Sequence, residues 1–396
     1  MLAAPACSEA CSDDAWFAGM LDRCYDYAAQ ARSEGRPIVG IMCEYTPREL
    51  IMAAGAIPVC LCGGSADRIP AAEEFLPSNL CPLIKSTFGY HVERCNPFLE
   101  WASLVVAETT CDGKKKMFEL MAETRPMFVL SLPHNRDAAL GREQWLAEMH
   151  RLRAELERRF KVRVTDDKMW AAIRRMNEER RLRREIAALM KSEAPPITGR
   201  QLLDMKSIIS CIPADIDRYK SVLSDAAGKE VSRPGRVRVL LTGVPVAHGA
   251  ERVVDLIEAR GGLIVCQENC TGLKPILDDV DEHAADPLEA LAAKYLATPC
   301  SVMTPNTARL ESLKRLAVEF RAECVVDLIW QACLTYDIES AKVRRLAEEE
   351  LNLPFLRIQT DYSPSDSERI AVRLEAMFET ARARIEAAPR SLCPAI

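Results

Sequence analysis

Cys111 stands in the run Glu108-Thr109-Thr110-Cys111-Asp112-Gly113-Lys114-Lys115-Lys116, between an apolar stretch at 104–107 and a helix-forming stretch from Met117. Thiolate is both a nucleophile and a soft metal ligand. A thiol between a strand and a helix sits at the strand's carboxyl end, the edge where α/β sheets hold ligands. The same punctuation recurs. Cys43 follows 38–42, Cys62 follows 57–61, Cys270 lies past 263–266 and Cys333 closes 324–330, while Cys81 and Cys300 fall in turns with proline nearby.

Sixteen cysteines in 396 residues is high for a chain with no need of disulfide staples. A reducing compartment fits better. Zinc normally announces itself by C-x2-C pairs or histidines at ligand spacing, and Cys60-Leu61-Cys62 and Cys266 to Cys270 have neither a matching second pair nor such histidines. A radical-type C-x3-C-x2-C run is missing too. Ligands dispersed along the chain and gathered by the fold fit an iron-sulfur cluster best. The competing reading is thiols that merely pack, and Cys7, Cys11, Cys24 and Cys393 are assigned to it.

The elements that must position these thiols follow from periodicity. Residues 13–34 form an amphipathic helix. Strands are expected at 38–42, 57–61, 104–107 and 127–132, with a helix capped by Thr46 and opened by Pro47. Trp145, Met149, Leu152, Leu156 and Phe160 make one helical stripe, and a helix at 166–191 carries Arg180, Arg181, Arg183 and Arg184, read as a solvated, ion-paired face. Ser232-Arg233-Pro234-Gly235 reads as a linker. Strands at 237–243, 263–266, 324–330 and 355–358 then repeat the plan, before a last helix at 364–388. The expected fold is α/β: two doubly wound parallel-sheet domains, a helical insertion after the first, and the cluster site in the cleft between them. The boundaries are 1–37 (helical lead-in), 38–137 (first domain), 138–234 (helices and linker) and 235–396 (second domain).

The chain is 48% hydrophobic and 28% charged with net charge -6, so it has no surplus of positive charge for nucleic acid. It has no run of about 18 apolar residues, and Glu9, Asp13 and Asp14 stand where a secretory signal is basic, so no membrane is expected and a cytoplasmic location is. Gly113-Lys114-Lys115 lacks the upstream glycine and the Ser or Thr of a phosphate-binding loop, so the chain should not hydrolyse ATP itself.

From Val39 to Phe378 the chain resembles the 2-hydroxyacyl-CoA dehydratase and benzoyl-CoA reductase superfamily, most closely its double-cubane cluster branch. The resemblance rests on Cys43-Glu44-Tyr45-Thr46-Pro47-Arg48-Glu49-Leu50, Leu61-Cys62-Gly63-Gly64, Leu80-Cys81-Pro82-Leu83-Ile84-Lys85-Ser86 and the Cys111 run. It continues in Glu268-Asn269-Cys270-Thr271-Gly272, Cys300 with Thr304-Pro305-Asn306, Cys333 with Thr335-Tyr336, and Thr360-Asp361-Tyr362-Ser363. The resemblance implies a [4Fe-4S] cubane on Cys81, Cys111 and Cys333. It also implies a second, sulfide-bridged cubane making an [8Fe-9S] double-cubane cluster, with Cys270, Cys300 and Cys62 as ligands and Cys43 as the alternative to Cys62.

The implied function is an anaerobic reductase of a small molecule, fed by an ATP-hydrolysing iron-sulfur activator protein and acting as a homodimer. Glu44, Glu268 and Tyr336 are the proton-delivery candidates, with Asp112 and His134 behind them. Helix caps and backbone hydrogen bonds are the competing role for each. Members of the branch often carry His where Leu334 stands, which puts the proton donor and substrate range in question. The rival readings are a 2-hydroxyacyl-CoA dehydratase subunit with one [4Fe-4S] cluster and a non-catalytic electron carrier.

Overall fold

The computed structural model describes residues 13–231 and 234–387. Cys7, Cys11 and Cys393, and Ser232 and Arg233 of the expected linker, lie outside the described residues.

Eight strands form two four-stranded sheets, every pairing parallel. The first contains β1 (Ile38–Ile41), β2 (Ile57–Cys60), β3 (Ala102–Glu108) and β4 (Met127–Leu130), in the order β2-β1-β3-β4. The second contains β5 (Val237–Gly243), β6 (Gly262–Glu268), β7 (Cys324–Trp330) and β8 (Phe355–Thr360), in the order β6-β5-β7-β8. The two orders are the same, and in each the winding reverses between the first strand and the third. Loops diverge at such a reversal and leave a crevice beyond the strand ends. Each strand lies within two residues, at either end, of the span expected from sequence, because buried parallel strands read as continuous apolar runs.

Helices cover both faces of each sheet. Trp145, Met149, Leu152 and Leu156 of the helix Ala139–Phe160 are fully buried on Val39, Ile41, Leu104 and Val106. The helix Pro287–Leu296 joins this layer through Leu288, Leu291 and Tyr295, although it follows β6 in the chain. The apolar cluster on the opposite face of the first sheet runs on without a break into the second, through Val239, Leu241, Val326 and Leu328.

Three local expectations are corrected. The lead-in is two helices, Asp13–Ala18 and Met20–Ser33. Thr46 does not cap the helix Arg48–Ala53: its hydroxyl donates to Glu108, a buried acceptor at the end of β3. The arginine face of the helix Asp166–Ala188 is ion-paired as expected, with Arg181 exposed and Arg183 on Glu179, but it is not solvated throughout. Arg180 is buried against Glu49, at 2.5 Å, while Arg181 and Arg184 pair with Asp279. This helix thereby bridges the two sheet regions.

Candidate functional site

The crevices of the two sheets face each other and enclose a cavity of ≈ 810 Å³. Cys43, Cys62, Cys81, Cys111, Cys270, Cys300 and Cys333 all line it, joined by Cys60. The first half of the chain supplies five of these thiols and the second half three. Cys24, Cys211, Cys266 and Cys324 are buried elsewhere, and Cys95 is exposed.

Cys81, Cys111 and Cys333 share a local design. Each is the residue at which a helix begins: Pro82–Glu93, Asp112–Ala122 and Leu334–Arg345. Pro82 fits the first helical position, where no N–H partner is available anyway. Free N–H groups and the aligned peptide dipoles make a helix start a binding point for anions, and they favour thiolate over thiol. Three such starts converge on one side of the cavity. A hydrogen bond from the Cys333 thiol holds Cys81 below the ordinary thiol range, against burial, with help from the amides of Ile84 and Leu83 and from Lys114. The same bond, with burial, pushes Cys333 well up. Burial raises Cys111, opposed by the Lys114 amide and charge.

Cys43, Cys270 and Cys300 form a second group, from the loop after β1, the turn after β6 and the turn after the helix Pro287–Leu296. Burial pushes Cys43 well up, Lys114 opposes it, and Glu108, Cys270 and Cys300 push further. Burial likewise lifts Cys270 to about 11, with Lys274 opposing and Cys300 adding. Cys62 is engaged differently. Its Sγ lies 3.7 Å from the Met42 carbonyl, and its thiol proton is shared between that oxygen and the Cys60 sulfur, which lowers Cys60. The Cys-Gly-Gly setting has a steric reason. A Cβ on Gly63 would lie 2.7 Å from the Thr87 amide, and one on Gly64 2.2 Å from the His248 carbonyl, so glycine lets this loop close against both halves.

The proton-delivery candidates are distributed unevenly. Glu44 lines the cavity but is clamped by Arg48 and Lys206, each at 2.7 Å. Burial works to raise its carboxyl, and the two cations outweigh burial and hold it well below the ordinary range. Tyr336 lines the cavity with its hydroxyl 3.9 Å from Cys300 Sγ, and accepts from Lys274 Nζ at 2.9 Å. Glu268 is fully buried behind the wall, bonded to Thr242 at 2.5 Å and ion-paired with Lys274 and Arg309. Asp112 is exposed at the cavity rim and paired with Lys115. His134 reaches the Thr109 carbonyl at 3.1 Å, and Leu334 is exposed at the rim.

Two lysines were missed as site residues. Lys206 comes from the segment between the sheets and ties Glu44 to the Cys270 carbonyl at 2.8 Å. Nothing in its sequence surroundings marks it. Lys114 enters the cavity from the first turn of the Cys111 helix, and its signal was legible: three lysines in a first turn oppose the helix dipole.

Among the described residues no three His, Cys, Asp or Glu side chains are gathered tightly enough for a single metal ion. Eight thiols spread over the walls of one cavity, with helix starts and the half-buried Lys114 and Lys206 beside them, instead suit a large thiophilic anionic group. No helix among the described residues is long and apolar enough to cross a membrane.

Fold and site together define an α/β protein of two like-ordered sheets with a thiol-lined cavity where their crevices meet. A family profile for the 2-hydroxyglutaryl-CoA dehydratase D-component matches residues 43–381, and the chain belongs to that family. It is 40% identical over 359 residues to the candidate dehydratase subunit YjiM of Escherichia coli (strain K12), covering 88% of this chain and 92% of that one. It is 22% identical to the (R)-phenyllactyl-CoA dehydratase beta subunit of Clostridium sporogenes, over 87% and 92% of the two chains. It is 24% identical to a benzoyl-CoA reductase subunit of Thauera aromatica, over 66% and 68%.

Proposed function

We propose that this protein is an iron-sulfur reductase of its family, holding a double-cubane cluster and reducing a small molecule with electrons from a separate ATP-hydrolysing activator. The observation that carries the reading is the pair of thiol groups, Cys81–Cys111–Cys333 and Cys43–Cys270–Cys300, on the wall of one cavity. Cys43, the alternative from sequence, is preferred to Cys62 as the sixth ligand because Cys62 Sγ is already engaged with the Met42 carbonyl at 3.7 Å. Such a cluster, when bound, supplies low-potential electrons. The chain's own groups hold and protect it. The helix starts at Cys81, Cys111 and Cys333 stabilise thiolate, and Lys206 fixes the Cys270 turn against Glu44. Tyr336 is the hydroxyl placed to pass a proton into the cavity, with Lys274 behind it.

The names of the relatives support a second reading, a dehydratase subunit, and on that reading one [4Fe-4S] cluster would sit on Cys81, Cys111 and Cys333. Iron and acid-labile sulfide, measured anaerobically with electron paramagnetic resonance of the reduced state, separate the two. About eight iron per chain is the expected result, and about four favours the dehydratase. A colourless preparation with negligible iron overturns both.

A further inference from the structure

Lys114, Lys115 and Lys116 are adjacent in sequence and meet three different fates. Lys115 pairs with Asp112 at 2.6 Å and Lys116 pairs with Glu119, both on the outer surface. Lys114 alone turns into the cavity. Its Nζ donates to the Met42 carbonyl at 2.8 Å, and no carboxylate among the described residues lies within ion-pairing distance. An ammonium has three N–H donors, so two remain for whatever fills the cavity.

The neighbours of Lys114 say what that is. Cys43, Cys62 and Cys111 are the groups that interact most with its charge, together with Glu108. Glu108 makes no ion pair with the lysine, and burial drives its carboxyl up to about 8. A half-buried cation without a carboxylate is costly unless an anion faces it. The helix carrying Lys114 makes the same demand, since its start already concentrates positive charge. Cys111 belongs to one proposed ligand group and Cys43 to the other, so the lysine's charge acts on both.

We propose that Lys114 is a positioning residue that would donate hydrogen bonds to sulfur of the bound cluster and raise the cluster's reduction potential. The inference rests on the iron-sulfur reading above. Adding an electron makes the cluster more negative, and a nearby fixed cation stabilises that state. Lys206 cannot do the same, because Glu44 already neutralises it at 2.7 Å.

The test is a redox titration followed by electron paramagnetic resonance on Lys114→Met, Lys114→Gln and Lys114→Arg, with iron counted in each and Lys116→Met as the surface control. The uncharged variants should keep wild-type iron and titrate at a more negative midpoint, while the arginine variant stays near wild type. An unchanged midpoint in the uncharged variants overturns the inference. So does an uncharged variant that binds no iron, because Lys114 would then hold the site instead of tuning it. Wild-type protein without iron would overturn the parent reading, which keeps the two failures distinct.

Discussion

Glu108 is fully buried at the end of β3, with one carboxylate oxygen bonded to Thr46 and the other without a hydrogen-bond partner. Burial raises its pKa from 4.5 to about 8. Between those values the folded chain keeps a proton that the unfolded chain has lost. Its contribution to stability is therefore fully present below the unfolded pKa and lost as pH rises through the folded one, by at most about 5 kcal/mol. Urea unfolding of iron-free protein should show Glu108→Gln gaining on wild type between about pH 5 and about pH 8. A constant gap would refute this.

Cys43 and Cys62 give a second residue-scale prediction. Cys43→Ser should lose about half the iron of wild type, and Cys62→Ser should keep it, as read by iron per chain. The cysteine positions were legible because each sits beside an obvious strand or turn. The roles of Glu268 and Glu44 were less so. Whether a carboxylate faces a cavity or two cations depends on Lys206, Lys274 and Arg309, all distant in sequence.

At the scale of elements, the helix Asp166–Ala188 holds the two regions together through Arg180, which bonds Glu49, and Asn177, whose amide donates to the Val280 carbonyl and to Glu282. Arg180→Met should cost about 3–5 kcal/mol, since it leaves a buried carboxylate without its cation. Adding Glu49→Gln should return part of the loss in thermal unfolding. Gly64→Ala should lower the melting temperature through its clash with the His248 carbonyl, on the order of 1–3 kcal/mol. The strands were legible from apolar runs, and the helix Ala139–Phe160 from its stripe. The arginine face misleads because surface and bridging arginines look alike until Asp279 and Glu49 are known to lie opposite.

At the scale of the whole molecule, both proposed ligand groups straddle the halves: Cys81 and Cys111 with Cys333, Cys43 with Cys270 and Cys300. Metal bound by both halves is free energy that holds them together. Chelating the iron should therefore expose the segment between the sheets to protease before either sheet unfolds. Identical digestion patterns with and without iron would refute this.

That straddling also sets an order of events during synthesis. The ribosome releases the first sheet with Cys43, Cys81 and Cys111 long before residue 333 exists, and domains fold as units as they emerge. Neither ligand group is complete at that stage. On the proposed reading, a nascent chain stopped before Cys333 should fold its first sheet and hold no stable cluster, so iron insertion waits until Cys333 has been made and depends on how long the chain then stays open.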